Sequence, residues 1–303
     1  MSRALKSWLK HRVGTRGVRV ARGLGRIRWF AKIGAVRTAQ ARFRDQPVAI
    51  LKYVLLDPEF DNFTYEIENG DELVAKLAVI LERPAEELAG YLREATTDPG
   101  LTTELRRHLR WRLDLKRRLP LGFRYSWYVI ARALKPELIV EAGVMGGLSS
   151  LAMIRALAHN RADGHPGRLL SVDLLNTAGW LVPKQQRADW TLKVGSADEV
   201  LKRELPGHRV GMFIEDMTTA EDVVRRTLAA VLNHAADGAM LVTSNDRGVL
   251  EAVCRERGIP YAEHRDRARN HFYQGTTVCF AGPLCKPGDR VAPPTKPQES
   301  ASE

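Results

Sequence analysis

The hydrophobic pattern of the chain changes character near residue 120. Upstream of it, apolar residues recur at helical spacing. Asp71 stands before the amphipathic run Glu72 to Leu81 as its expected N-cap. Pro84 opens a second expected helix carrying Leu88, Tyr91 and Leu92, which stops before Asp98-Pro99-Gly100. A third run, Thr103 to Leu119, sets Leu105, Leu109, Trp111, Leu113 and Leu115 among arginines. These segments read as packing helices, not as a catalytic module.

Downstream, a helix around Tyr128–Leu134 leads into short apolar runs. Leu138–Glu141, Leu169–Asp173, Trp190–Gly195, Val210–Glu215 and Ala239–Thr243 are expected strands. Helices are expected over Ser149–Ala158, Ala220–Asn233 and Gly248–Arg257, with His271-Phe272 and Thr276–Ala281 as closing strands. Apolar runs of this length alternating with helices predict an α/β domain: a mostly parallel, Rossmann-like sheet covered on both faces.

Composition narrows the class without naming it. The 303 residues carry a formal net charge of +11, but the charge is local. Residues 1–44 hold 13 Lys/Arg and no acid, whereas the other 259 residues hold 34 basic and 36 acidic side chains. Trp8, Leu9, Val13, Trp29 and Phe30 interleave with those cations, and Gly14, Gly17, Gly23, Gly25 and Gly34 interrupt them. A basic amphipathic stretch can lie on an anionic membrane surface, gaining about 1 kcal/mol per cation, or track phosphates. The favoured reading is a partly disordered, solvated head. Cys254, Cys279 and Cys285 form no C-x-x-C pair, which points to a reducing, cytoplasmic setting. No stretch is long and apolar enough to span a bilayer, so any membrane attachment would be peripheral. Four parts follow: a basic head (1–44), a helical extension (45–121), a ligand-binding α/β domain (122–285) and a disordered tail (286–303).

The chemistry concentrates at strand ends. Val140-Glu141-Ala142-Gly143-Val144-Met145-Gly146-Gly147-Leu148-Ser149 is a buried strand ending in an acid, followed by a glycine turn that opens a helix. Open α/β sheets bind ligands at this carboxyl edge, and glycines permit close backbone approach. Asp173 ends the next strand, where a carboxylate can hold both hydroxyls of a ribose. Gly195-Ser196-Ala197 ends the third and Glu215-Asp216 the fourth.

In this order the segments resemble class I S-adenosylmethionine-dependent methyltransferases. Glu141 to Ser149 is similar to the acid-x-Gly-x-x-x-Gly-x-Ser form of their first motif, found in small-molecule O-methyltransferases related to the catechol enzymes. The likeness covers roughly residues 122–282. Asp61-Asn62-Phe63-Thr64-Tyr65-Glu66-Ile67 is similar to the N-terminal extension of some bacterial members. The resemblance implies a Rossmann-like sheet whose last strand is antiparallel, and S-adenosyl-L-methionine as cofactor. It puts Glu141 and Gly143 beside the methionine part, Gly147 and Ser149 among the cofactor-binding residues at the start of the following helix, Asp173 at the ribose and Ser196-Ala197 at the adenine. Asp216 is placed where cofactor meets acceptor. Asp216 is the first candidate for the base that a hydroxyl nucleophile needs, and His271 the second.

The chain departs from the family near the reacting end. Glu215-Asp216-Met217-Thr218-Thr219-Ala220 lacks the histidine of a His-Asp-Ser-x-His-Thr stretch, and Ser244-Asn245 replaces the Asp-Asn pair of metal-dependent relatives. Glu215 or Asp216 with Asn245 and Asp246 could still offer oxygen ligands to a divalent metal such as magnesium. Metal-free chemistry is the favoured side of that alternative.

The expected activity is O-methylation of a small-molecule or saccharide- or lipid-linked (glycolipid) acceptor, with oligomerisation left open. Nucleic acid is disfavoured as acceptor, because the fourth strand carries no Asn-Pro-Pro-aromatic signature and no Pro-Cys nucleophile follows it. The alternative is a catalytically silent cofactor-binding adaptor that acts through residues 1–44 at a membrane or nucleic acid. A dinucleotide oxidoreductase is weaker still, since G-x-G-x-x-G is missing after the first strand.

Overall fold

The computed structural model describes residues 64–110, 119–217, 219–244, 246–269 and 275–284. The basic head, the tail, Asn245 and His271 lie outside the described residues, so expectations on them are not addressed by the fold.

Strand β1 (Glu66–Ile67) opens the described chain, followed by helices α1 (Gly70–Leu81) and α2 (Ala85–Thr97). A π-helical turn (Gly100–Glu104) runs into the one-turn helix α3 (Leu105–His108). Helix α4 (Arg124–Leu134) leads to β2 (Leu138–Ala142), α5 (Leu148–Ala162), β3 (Arg168–Asp173) and β4 (Trp190–Val194). Then come α6 (Ala197–Glu204), β5 (Val210–Glu215), α7 (Glu221–Leu232) and β6 (Ala235–Thr243). Helix α8 (Val249–Arg257), β7 (Tyr261–Arg265), β8 (Ala268–Arg269) and β9 (Thr277–Ala281) close the domain.

The seven-stranded sheet has the order β4-β3-β2-β5-β6-β9-β7. All neighbours from β4 to β6 are parallel, while β9 runs antiparallel to both β6 and β7. A last antiparallel strand inserted beside the fifth parallel one is the arrangement expected from the sequence. The outer partner of β9 is Tyr261–Arg265, a strand missed in the sequence because the Tyr-Ala-Glu-His-Arg run hides its strand character in polar residues; the expected strand at His271-Phe272 lies outside the described residues. One expectation is corrected. Helix α1 starts two residues before the expectation, and Asp71 lies in its first turn instead of capping it. Asn69 takes the cap position, but its side chain bonds outward to the β7–β8 turn.

Strand periodicity builds the core. Along β2, Leu138, Val140 and Ala142 join the cluster against α6–α8, while Ile139 joins the cluster against α4 and α5. In β5 the alternation slips: Val210 and Phe213, three apart, share a face. The register against β6 is irregular at the same place, where Val210 pairs with Ala235 but Met212 with Met240.

The helices before α4 share the α4–α5 core through Leu73, Leu77, Leu88, Leu101 and Leu105. A buried ionic clamp reinforces the junction. Asp98 accepts two hydrogen bonds from Arg155 at 2.9 Å and contacts His159 at 2.7 Å. Glu94 pairs with Arg132 at 2.6 Å and accepts from Tyr128 at 2.7 Å. Strand β1 pairs antiparallel with β8, so the segment before α1 is pinned to the far side of the sheet's carboxyl edge.

Candidate active site

Strands β2 to β6 are parallel, so their last residues share one edge. The register β6–β9–β7 brings Arg265, Asp266 and Thr276 to that same edge. Every strand-end acid singled out from the sequence therefore lies along one rim.

Glu141 points to the α4–α5 side and is fully buried. The hydroxyls of Ser150 and Ser171 both donate to its Oε2 at 2.6 Å, and Ser149 on the same helix adds a polar neighbour. Trp190 Nε1 donates to Ser171 Oγ at 2.9 Å, extending the network to β4. Burial pushes the Glu141 carboxyl upward, against the pull of the three serines. Its Oε1 forms no hydrogen bond among the described residues.

The glycine turn is shaped by its neighbours in the chain. Gly143 has φ +94°, and a Cβ there would stand 2.4 Å from the Asp216 carbonyl oxygen. At Gly147, φ +88°, a Cβ would meet Gly179 Cα at 2.7 Å. Glycine is required at both positions by left-handed backbone and by contact with another backbone. Asp173 staples the turn: its Oδ2 accepts from the Val144 and Met145 amides and its Oδ1 from Leu175, each at 2.9 Å. A carboxylate has about four acceptor positions, so roughly one remains. The segment 178–182 closes over the turn through Gly179 N to Met145 O and Leu181 N to Gly146 O. Arg187 holds that segment by bonding the Gly179 and Val182 carbonyls, with its guanidinium stacked over Trp190. Trp190 packs against this segment, since a Cβ at Gly179 would meet its ring.

Three large apolar side chains are left exposed at this half of the rim: Leu174 at 63%, Val194 at 52% and Met145 at 42%. They follow or end β3, β4 and β2 in turn, so their exposure forms one apolar border and is not scattered. Ser196 occupies the N-cap position of α6, its hydroxyl turned to Asp198, and Ala197 is buried beneath it.

The other half of the rim carries charge. Glu215 is buried and pushed up to about 7, with Thr243 Oγ1 and the Met217 amide as its donors. Asp216 is half-buried as a residue, and burial of its carboxyl raises its proton affinity; Arg124 and Ser244 pull the other way. Ser244 Oγ donates to Asp216 Oδ1 at 3.0 Å. The departure at Ser244 thus has a local meaning: where metal-dependent relatives carry a second acid, this chain has a donor that fixes Asp216. Asp246 accepts from the Leu250 and Glu251 amides and from Tyr261, so it is engaged at the start of α8. Among the described residues no group of His, Cys, Asp and Glu is arranged to hold a metal ion.

Sequence reasoning missed two residues here. Arg124, the first residue of α4, is 6% exposed and faces Asp216, Tyr65 and Glu141. Asp266 is 1% exposed, accepts from Tyr65 at 3.1 Å, and is pushed up to about 7 by burial. Neither belongs to a strand-end motif, so only the packing of the extension onto the rim reveals them.

Taken together, the strand order and the strand-end acids define a class I S-adenosylmethionine-dependent methyltransferase fold. Consistently, residues 140–245 match the family model described as a methyltransferase domain. Among solved structures, the chain is similar to the O-methyltransferase TomG of Streptomyces achromogenes, crystallised with S-adenosylmethionine. That pair shares 18% identity over 61% of this chain and 89% of the other, with a TM-score of 0.43. A methyltransferase from Geobacter sulfurreducens gives 18% identity over 61% and 90%, TM-score 0.42. An rRNA methylase from Streptococcus thermophilus gives 10% over 52% and 93%, TM-score 0.38. Comparison with curated proteins gives no match. Among the described residues no helix is long and apolar enough to cross a membrane.

Proposed function

We propose that the protein is an S-adenosylmethionine-dependent O-methyltransferase acting on a hydroxyl of a small molecule or of a saccharide- or lipid-linked acceptor. The observation that carries this reading is the apolar border of Met145, Leu174 and Val194, on the same rim as Asp173 and Ser196. An adenosine needs such a surface for its base beside an acceptor for its ribose hydroxyls. The unpartnered Oε1 of Glu141 and the acceptor position left on Asp173 fit the amino group and ribose of the same molecule. Glu141, Gly143, Gly147 and Ser149 would hold the methionine part, Asp173 the ribose, and Ser196-Ala197 the adenine.

When bound, S-adenosylmethionine supplies an electrophilic methyl group. The chain's own task is to position a hydroxyl in line and to take its proton. Asp216 serves as base: burial raises its carboxyl toward a useful proton affinity, and Ser244 fixes its orientation.

The test is calorimetric titration with S-adenosylmethionine and S-adenosylhomocysteine, repeated on Asp173→Ala. Micromolar binding of both, weakened at least thirtyfold by the substitution, is expected; absence of binding to the folded protein would remove the enzyme reading.

A further inference from the structure

We infer that Arg124 is the docking point for an anionic group, a carboxylate or a phosphate, carried by the methyl acceptor. The inference rests on the methyltransferase reading and adds the acceptor's chemical class to it.

Arginine buried to this depth is almost always paired, because taking a guanidinium out of water without an anion costs free energy. Arg124 is 6% exposed, yet its Nε has no hydrogen-bond partner. Its Nη1 reaches only the Leu121 carbonyl, at 3.5 Å. Among the described residues no carboxylate stands at ion-pair distance from it. Asp216 is its leading source of attraction, followed by Tyr65 and Glu141, all acting through space. The guanidinium keeps its charge nonetheless, since arginine does not deprotonate in proteins.

Its surroundings fix its direction. The Phe123 ring lies under the guanidinium carbon at 4.3 Å, so one flat face is covered and the N–H edge is what a ligand can use. Phe123 itself is locked edge-to-face on Trp127, with ring centroids 5.0 Å apart. The Gly122 amide donates to the Tyr65 carbonyl at 3.0 Å, which holds the start of α4 against the extension. Arg124 thereby stands at the start of α4, where the rim carboxylates that act on it are Asp216, after β5, and Glu141, in β2. An acceptor lying with its hydroxyl at Asp216 has its far end at Arg124. A forked, planar donor at that point suits a carboxylate or phosphate, which it can bind with two parallel hydrogen bonds.

The experiment uses the full chain and three matched probes: 4-hydroxybenzoate, 4-hydroxyphenyl phosphate and the neutral 4-hydroxybenzamide. Each is titrated calorimetrically into wild type, Arg124→Met, Arg124→Lys and Asp216→Asn, and S-adenosylhomocysteine is titrated separately. Wild type is expected to prefer one anion at least tenfold over the amide, and the preferred anion tells carboxylate from phosphate. Arg124→Met should erase that preference, Arg124→Lys should restore part of it, and Asp216→Asn should strengthen anion binding several-fold by removing the opposing charge. Cofactor-product binding should stay within about twofold in the Arg124 variants. A wild type that binds the amide as well as both anions overturns the inference even if Arg124→Met fails to fold, and so does a preference that survives Arg124→Met. Failure of S-adenosylhomocysteine to bind wild type would instead count against the methyltransferase reading, while the anion titrations still decide the role of Arg124.

Discussion

The two halves of the carboxyl edge are built on opposite principles. At the ends of β2, β3 and β4 nearly every polar group is already engaged: Asp173 by three amides, Glu141 Oε2 by two serines, Ser196 by Asp198. What is left to the outside there is apolar. At the ends of β5 and β7 charge is gathered instead. Arg124, Asp216, Glu215 and Asp266 bring charge into protected surroundings, and Arg124 Nε and Asp266 Oδ1 are left without hydrogen bonds. A half whose shape is fixed internally suits a ligand that never varies. A half with charge in reserve suits a ligand that completes the site.

Gly143 sits on the seam, and replacing it gives the largest expected effect. Alanine at φ +94° is strained by about 1–3 kcal/mol. Its Cβ would also meet the Asp216 carbonyl at 2.4 Å, a backbone that cannot swing away, which adds about 1–3 kcal/mol. Gly143→Ala should therefore lose about 4 kcal/mol and lower Tm by roughly 10 °C, measured by circular dichroism. Gly164, with φ +88° and nothing within 4 Å, separates the two causes. Gly164→Ala should show only the strain. Equal losses at the two positions would mean that the seam contact counts for nothing.

The charged half should betray itself through pH. Burial is the main reason that Glu215 and Asp266 are pushed up to about 7. A carboxyl whose folded value lies above its unfolded one, about 4, keeps its proton when the unfolded chain has lost it. Its contribution is complete below about pH 4, declines as pH rises to about 7, and is flat beyond. Asp266→Asn removes this residue's share of the slope, leaving that of Glu215, while offering an oxygen to Tyr65. It should be about 2 kcal/mol more stable than wild type at pH 8 and equal to it at pH 4, read from urea unfolding. Asp98 tilts the other way. Burial would raise it, but Arg155 and His159 hold it below the usual carboxylate range. Its contribution is present above about pH 4 and lost below. A wild-type profile without a decline between pH 4 and 7 would show that Asp266 is not buried as an acid in solution.

The contrast between the halves also explains what was legible in the sequence. The parallel strands announced themselves because each is a short apolar run with one face toward each helix layer, and the rim acids could be found by sitting at their ends. Tyr261–Arg265 could not, since a strand at the sheet border with alternating polar residues looks like a loop. The β6 strand began four residues earlier than its apolar run, at Ala235, because Gly238 N bonds to Leu284 O. Arg124 was invisible for a different reason. On the chain it is one arginine among many near a helix start, and its meaning arises only from Tyr65, Asp216 and Glu141, which are distant in sequence.

The smallest predicted effect tests whether the cofactor half is prearranged. Asp173 serves the chain before it serves any ligand, because its two oxygens accept from three backbone amides. Asparagine at this position keeps one acceptor oxygen and loses the charge, so it can satisfy the Val144 and Met145 amides or the Leu175 amide, not both. Hydrogen bonds to a charged group contribute about 1.5–3 kcal/mol each, but the turn is also held by Gly179 and Leu181 bonding to Met145 and Gly146. Asp173→Asn should therefore cost only about 1 kcal/mol of global stability. Its signature is local: hydrogen exchange at Val144, Met145 and Leu175 should quicken by roughly tenfold, equivalent to about 1.4 kcal/mol of lost local protection. Exchange at Leu241 and Val242, central in β6, should follow only the global change. If the three amides exchange as in wild type, the carboxylate does not staple the turn, and the cofactor half would owe its shape to the glycines and the covering segment alone.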